Sequence, residues 1–86
     1  MKLERWELRC AIADGDVATI LKILARHLPE VSDYMDAEWG LVRDGISSPG
    51  SVAVLFGSTY ATLGDHGLYT AKWEGNWPPR VYLPTG

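Results

Sequence analysis

Residues 11–25 read AIADGDVATILKILA, and this stretch decides how the first half of the chain folds. Asp14-Gly15-Asp16 divides it into two apolar-periodic segments. Gly15 can adopt the left-handed backbone that ends a helix. Asp16 can then cap the next helix, because its carboxylate accepts an otherwise orphaned backbone N–H. Downstream, Val17, Ile20, Leu21, Leu24 and Leu28 fall on one helical stripe. Arg26 and His27 stand in the last turn, where positive charge suits the helix dipole, and Pro29 stops the run. Upstream, Leu3, Trp6, Cys10 and Ala13 recur at helical spacing, which predicts a helix that buries this stripe. The short link makes the two helices antiparallel neighbours. On this reading Leu21 and Leu24 are core residues, and Cys10 is a buried, inert thiol.

The same fifteen residues resemble the helix–turn–helix of a single ankyrin repeat, with Asp14-Gly15 at the helix junction. The repeat's T-P-L-H opening is missing and no second copy follows. Ankyrin units need about three stacked repeats to be stable, so the stretch is read as a generic helix hairpin.

Working outward, Pro29 can open a third, shorter helix with Glu30 in its first turn. Val31, Tyr34 and Met35 would face inward, and Glu30, Asp33 and Asp36 outward. The helix is expected to end before Glu38. Near Gly40 the composition changes. Asp44-Gly45 and Ser47-Ser48-Pro49-Gly50 are turn material. Ser51 to Phe56 is a short apolar run of the kind a buried strand carries. Residues 67–73 alternate, with Tyr69, Ala71 and Trp73 on one face. Gly64-Asp65-His66-Gly67 reads as a turn and Glu74 to Pro79 as a loop. Arg80 to Leu83 forms a last strand, and Leu41 to Arg43 can add another, paired through the 44–50 turn. The expected architecture is α+β in one domain, residues 1–86. A helical part, 1–39, packs on a β-rich part, 40–86, whose small antiparallel sheet has about three strands.

Eighty-six residues bury only about 60% of the surface exposed by the unfolded chain, so such a domain is small but viable. Four tryptophans and four tyrosines help, since each ring can bury about 150–250 Å². One cysteine excludes an intrachain disulfide and favours a reducing, cytoplasmic setting. No signal peptide or apolar run of membrane-spanning length is visible, so no membrane association is expected. The net charge is −3. Its centre is acidic: Glu30, Asp33, Asp36, Glu38 and Asp44 stand against Arg43 alone. A phosphate backbone repels such a block, which argues against direct nucleic-acid binding.

The patterns that carry chemistry are missing. There is no C-x₂-C, H-x₃₋₅-H or H-E-x-x-H, and Asp14-Gly15-Asp16 lacks the rest of a calcium loop. No cofactor or metal is therefore expected. Cys10 and His27 could meet across the helix hairpin, but no third group is placed to orient them. The serines lack a G-x-S-x-G context. Asp33 and Asp36 have the spacing of a solvated helix side. No phosphate cradle occurs. The basic residues of the first helices, Lys2, Arg5, Arg9, Lys22 and Arg26, are interleaved with acids.

Two surface features remain. The row Glu30, Asp33 and Asp36 can attract a basic partner protein. The aromatic C-terminal part, with Tyr69, Trp73, Trp77 and Tyr82, is rich in the rings favoured at binding hot spots. The expected function is a non-catalytic protein-binding module, a small inhibitor that occludes a partner's surface, with Glu30, Asp33, Asp36, Trp73, Trp77 and Tyr82 as its contact residues. Phage-encoded inhibitors of host enzymes, anti-CRISPR proteins among them, are of this general type. The alternatives are a small nucleic-acid-binding regulator or transcription factor using the helix pair and, third, a small enzyme subunit. A homodimer is compatible with all of these.

Overall fold

The structure, a computed structural model, describes residues 2–46, 51–64 and 67–84; the side chains at 2–5, 76 and 77 lie outside the description. Its elements follow the expected α-then-β order. Helices α1 (Lys2–Asp14) and α2 (Val17–Ala25) precede a 3-10 helix (Pro29–Tyr34). Three strands follow: β1 (Gly40–Ile46), β2 (Val52–Gly64) and β3 (Gly67–Pro84).

The junction between α1 and α2 forms as its sequence dictates. Gly15 has φ +69°, and the Asp16 carboxylate caps α2 by accepting from the Thr19 backbone N–H at 3.2 Å. The Thr19 hydroxyl donates to the second carboxylate oxygen at 2.6 Å. On α2, Ile20, Leu21, Ile23 and Leu24 are buried, which places the expected stripe in the core. The short third helix is of the 3-10 type. It buries Val31, packs Tyr34 against the core and leaves Glu30 and Asp33 in solvent; just beyond its end Met35 packs on the core and Asp36 is exposed.

Helix α1 presents a different face from the one its tryptophan suggests. Leu8, Ala11 and Ile12 are buried, whereas Trp6 is 68% exposed and Cys10 and Ala13 are exposed. The expectation that Cys10 lies in the core is thus overturned. The helix carries two apolar stripes, and packing selects the one with two branched aliphatic chains and a small alanine. Burying Trp6 there would require a partner for its indole N–H.

The sheet is mixed rather than wholly antiparallel. Its order is β1-β3-β2, with β3 antiparallel to β2 and parallel to β1. Leu41 to Arg43 therefore joins the sheet by lying beside Leu83's strand, with Leu41 opposite Val81 and Val42 opposite Tyr82, not by folding back through the 44–50 turn. Residues 47–50 of that turn lie outside the described residues. The segment read as a loop, Glu74 to Pro79, is instead an irregularity inside β3. Thr59 pairs Lys72 and Leu55 pairs Arg80, so four steps along β2 stand opposite eight along β3. The surplus divides β3 into two paired segments, and with β1 and β2 the sheet has four extended segments.

Gly57 makes this possible on the β2 side. Its φ is +57°, and a Cβ there would stand 2.5 Å from the Tyr34 hydroxyl. Such a bulge shifts the alternation of a strand. Before it Val52, Val54 and Phe56 face the helices; beyond it Ala61 and Leu63 do. The core thus runs from Leu8, Ala11 and Ile12 through α2 to both ends of β2, closed by Val81 and Leu83.

Candidate protein-binding surface

The hairpin β2–β3 turns at Gly64 and Gly67, which face each other in register; residues 65 and 66 lie outside the described residues. Counting back from that pair, Thr62 faces Tyr69 and Tyr60 faces Ala71. Residues directly opposite share a face of the sheet. Tyr60, Thr62, Tyr69, Ala71 and Trp73 consequently form one face of the arm, and Ala61, Leu63 and Leu68 form the other. The second set packs against the core. The first is turned away from it: Tyr69 is 61% and Trp73 46% exposed. The Tyr60 and Trp73 rings lie 5.8 Å apart at 32°, so neighbouring strands hold Trp73 in place.

The other residues expected to make contact are distributed as follows. Glu30 and Asp33 are exposed on the 3-10 helix and Asp36 just beyond its end; the helix sits on the helix side of the sheet where Tyr34 meets Phe56, ring centroids 5.5 Å apart. Tyr82 is half-buried on the far side of the β3 irregularity from Trp73, opposite Ala53, and fills the space above Gly45, where a Cβ would stand 2.7 Å from its ring. Trp77 faces Gly57 in backbone register, and its side chain lies outside the described residues. Trp73 and Tyr82 share the face turned from the helices; the acidic row belongs to the helical layer. Tyr60 was missed in the sequence. Its signal was the Gly64–Gly67 spacing, which fixes the register of the arm and places residue 60 beside residue 73.

A shallow cleft of about 260 Å³ lies next to the irregularity of β3, between Glu38, Trp39 and Gly40 on one side and Pro78, Pro79 and Arg80 on the other. The Trp39 indole donates to the Tyr34 carbonyl at 2.8 Å, fixing its ring as one wall. His27 and Cys10, the pair the sequence brought into question, are both exposed. Among the described residues no three His, Cys, Asp or Glu side chains gather as metal ligands, and no helix is long and apolar enough to cross a membrane.

Comparison with known proteins adds no relative: no protein-family model, no curated protein and no solved structure matches the chain.

Proposed function

We propose that the chain is a non-catalytic protein-binding module that occludes a partner's surface with the outer face of the β2–β3 arm. One observation carries this reading: Tyr69 and Trp73 stand exposed on paired strands, with Trp73 braced by Tyr60. Rings held by a sheet lose little conformational freedom on binding, and Trp and Tyr are enriched where truncation costs most affinity. The core does not need them, because among the described residues seventeen other apolar side chains are already buried.

The partner presents apolar ground for the rings within a basic surface. The net charge of −3 and the exposed row Glu30, Asp33 and Asp36 favour approach to such a surface. Charge then governs mainly association and the rings dissociation. Inhibition by occlusion, in the manner of small phage-encoded inhibitors, is the mode that suits a chain of this size. A free, exposed Cys10 suits a reducing compartment such as the cytoplasm.

The test is a comparison of captured proteins. Immobilised wild type, Tyr69→Ala/Trp73→Ala and Asp33→Lys/Asp36→Lys are exposed to the same lysate, and the bound proteins are identified by mass spectrometry. The proposal expects at least one protein retained by wild type and lost by the aromatic variant, with slower binding to the lysine variant. A bound set unchanged by the aromatic variant, whose thermal midpoint stays within a few degrees of wild type, overturns it.

A further inference from the structure

The chain contains two Asp-Gly pairs, Asp14-Gly15 and Asp44-Gly45. The carboxyl group of an aspartate can be attacked by the backbone nitrogen of the next residue. Glycine shields that nitrogen least, because it has no Cβ. Attack requires the peptide unit between the two residues to rotate until its nitrogen lies over the side-chain Cγ. The fold therefore decides which pair reacts, and it treats the two pairs differently.

Asp14-Gly15 is held. Asp14 is the last residue of α1, and the Gly15 N–H donates to the Ile12 carbonyl at 3.2 Å. The Asp16 N–H donates to the Ala11 carbonyl at 2.8 Å, and the Val17 N–H to the Gly15 carbonyl at 3.1 Å. Rotating the 14–15 peptide breaks the first of these bonds and disturbs the other two.

Asp44-Gly45 is not held in this way. It lies in β1, an edge strand. Pairing with β3 runs from Gly40 to Val42, breaks and resumes at Ile46, so residues 43–45 together stand opposite Leu83. Asp44 and Gly45 are both exposed. Asp44 has φ +64°, and among the described residues it is the one non-glycine in the left-handed region. A side chain is strained there, so rotation away from that conformation relieves strain. A larger residue after Asp44 cannot protect it, since a Cβ at 45 would stand 2.7 Å from the Tyr82 ring. The packing of Tyr82 thus demands glycine where glycine leaves the carboxyl group most open to attack.

We infer that Asp44 is a self-modification site: the folded chain converts it to isoaspartate, the group that isoaspartyl carboxyl methyltransferases recognise. The Gly45 nitrogen forms a bond to the Asp44 Cγ while a C–O bond of the carboxyl group breaks. The hydroxyl leaves with the amide proton as water. Water then opens the resulting succinimide ring. Opening at the side-chain carbonyl restores aspartate. Opening at the backbone carbonyl routes the chain through the side chain and lengthens it by one methylene. The added methylene falls between the rungs at Val42 and Ile46, beside the Tyr82 ring. The site lies in β1, and the inference stands whether or not the aromatic arm binds a partner.

The experiment ages the folded full chain for several weeks at neutral pH and physiological temperature. Samples are digested, and electron-transfer fragmentation assigns isoaspartate in the peptides that hold residues 14 and 44. An isoaspartyl methyltransferase with a labelled methyl donor measures total isoaspartate independently. Isoaspartate should form at 44 about fivefold or more faster than at 14, the factor that one exposed backbone hydrogen bond supplies. In denaturant, where neither pair is held, the two rates should converge. Asp44→Glu, which would need a larger ring, should remove most of the label. Asp44→Asn, which loses ammonia instead of water, should bring it on sooner. Circular dichroism melts show that both variants are folded. Equal rates at 44 and 14 in the folded chain overturn the inference. So does a ratio that denaturant leaves unchanged, isoaspartate at 44 only in denaturant, or a label undiminished in Asp44→Glu.

Discussion

The base of the sheet and its hairpin arm are built from the same two strands, yet they solve different problems. In the base, all five residues from Val52 to Phe56 are buried, none more than 3% exposed. In the arm, burial alternates: Ala61 and Leu63 are buried, while Tyr60 and Thr62, which alternate with them, are only partly covered. The base is closed on both faces and carries stability. The arm is closed on one face and presents the other. The irregularity at Gly57 on β2 and residues 72–80 on β3 separates the two regimes. This division explains how so small a domain can hold a dense core and still expose large rings: only the base is fully enclosed.

The strongest way to break the comparison is to empty the base. Phe56 is 2% exposed and meets Tyr34, so it couples the base to the 3-10 helix. Phe56→Ala should cost about 3–5 kcal/mol. Leu24→Ala, removing a fully buried side chain of α2, should cost about 2–5 kcal/mol. Domains of this size have little stability to spare, so both variants should be largely unfolded at 37 °C by thermal melting. If Phe56→Ala melts within a few degrees of wild type, the base is not where stability resides.

The boundary itself comes next. Gly57→Ala meets two obstacles, a φ of +57° that disfavours any Cβ and a Cβ position 2.5 Å from the Tyr34 hydroxyl. The expected loss is about 2–3 kcal/mol. Combining it with Tyr34→Phe removes the oxygen but not the backbone strain, so roughly half of the loss should be recovered. Chemical denaturation of the four species in this cycle measures it. Full additivity would mean that Tyr34 moves aside freely, and that the boundary is set by backbone conformation alone.

How much of this was legible differs between the two regions for physical reasons. α2 could be read because period, cap and stop signal agree: Asp16, the Ile20–Leu24 stripe and Pro29 each point to the same helix. The base could be read as a buried strand from its unbroken apolar run. The face of α1 could not, because Trp6, Cys10 and Ala13 compete with Leu8, Ala11 and Ile12, each set lying within one helical stripe, and only contact with α2 and β2 decides between them. Pro78 and Pro79 read as a loop because neither can donate to a ladder. They are accommodated in β3 at places where no partner on β2 is paired to them. The parallel pairing of β1 with β3 joins residues about forty positions apart, and no local signal encodes it. For the candidate site, Trp73 was legible from alternation. Its brace, Tyr60, was not, since that contact depends on hairpin register.

The arm should respond in the opposite way to the base. Trp73→Ala removes the ring contact to Tyr60, and its cost is about 0.5–1.5 kcal/mol. Tyr69→Ala, at 61% exposure, should change stability by less than about 0.5 kcal/mol. Both should nonetheless shorten the lifetime of a complex with the partner, measured by surface plasmon resonance once that partner is in hand. A Tyr69→Ala variant that melts as early as Leu24→Ala would show that the arm belongs to the core and erase the distinction.

The smallest effect concerns the helical cover over the base and appears only in acid. The Asp16 carboxyl is held below the ordinary aspartate range, first by the hydrogen bond from the Thr19 hydroxyl, then by that from the Thr19 backbone N–H, with a lesser contribution from Lys22. A carboxylate whose pKa is lower in the folded than in the unfolded state stabilises the fold above its unfolded value. That contribution fades as pH falls through the folded value, because a protonated carboxyl caps α2 less well. Wild type should therefore lose a little stability between pH 5 and roughly pH 2 that Asp16→Asn, which caps without titrating, does not lose. Because Asp16 is exposed, the difference should be small and should shrink in high salt only through its Lys22 part. Hydrogen exchange locates it: the α2 amides near Thr19 should lose protection first on acidification, while those of the arm at residues 60–64 and 67–71 keep theirs. If wild type and Asp16→Asn show the same acid slope, the cap does not respond to pH. If the arm opens before α2, the cover over the base is not the part of the molecule that acid weakens first.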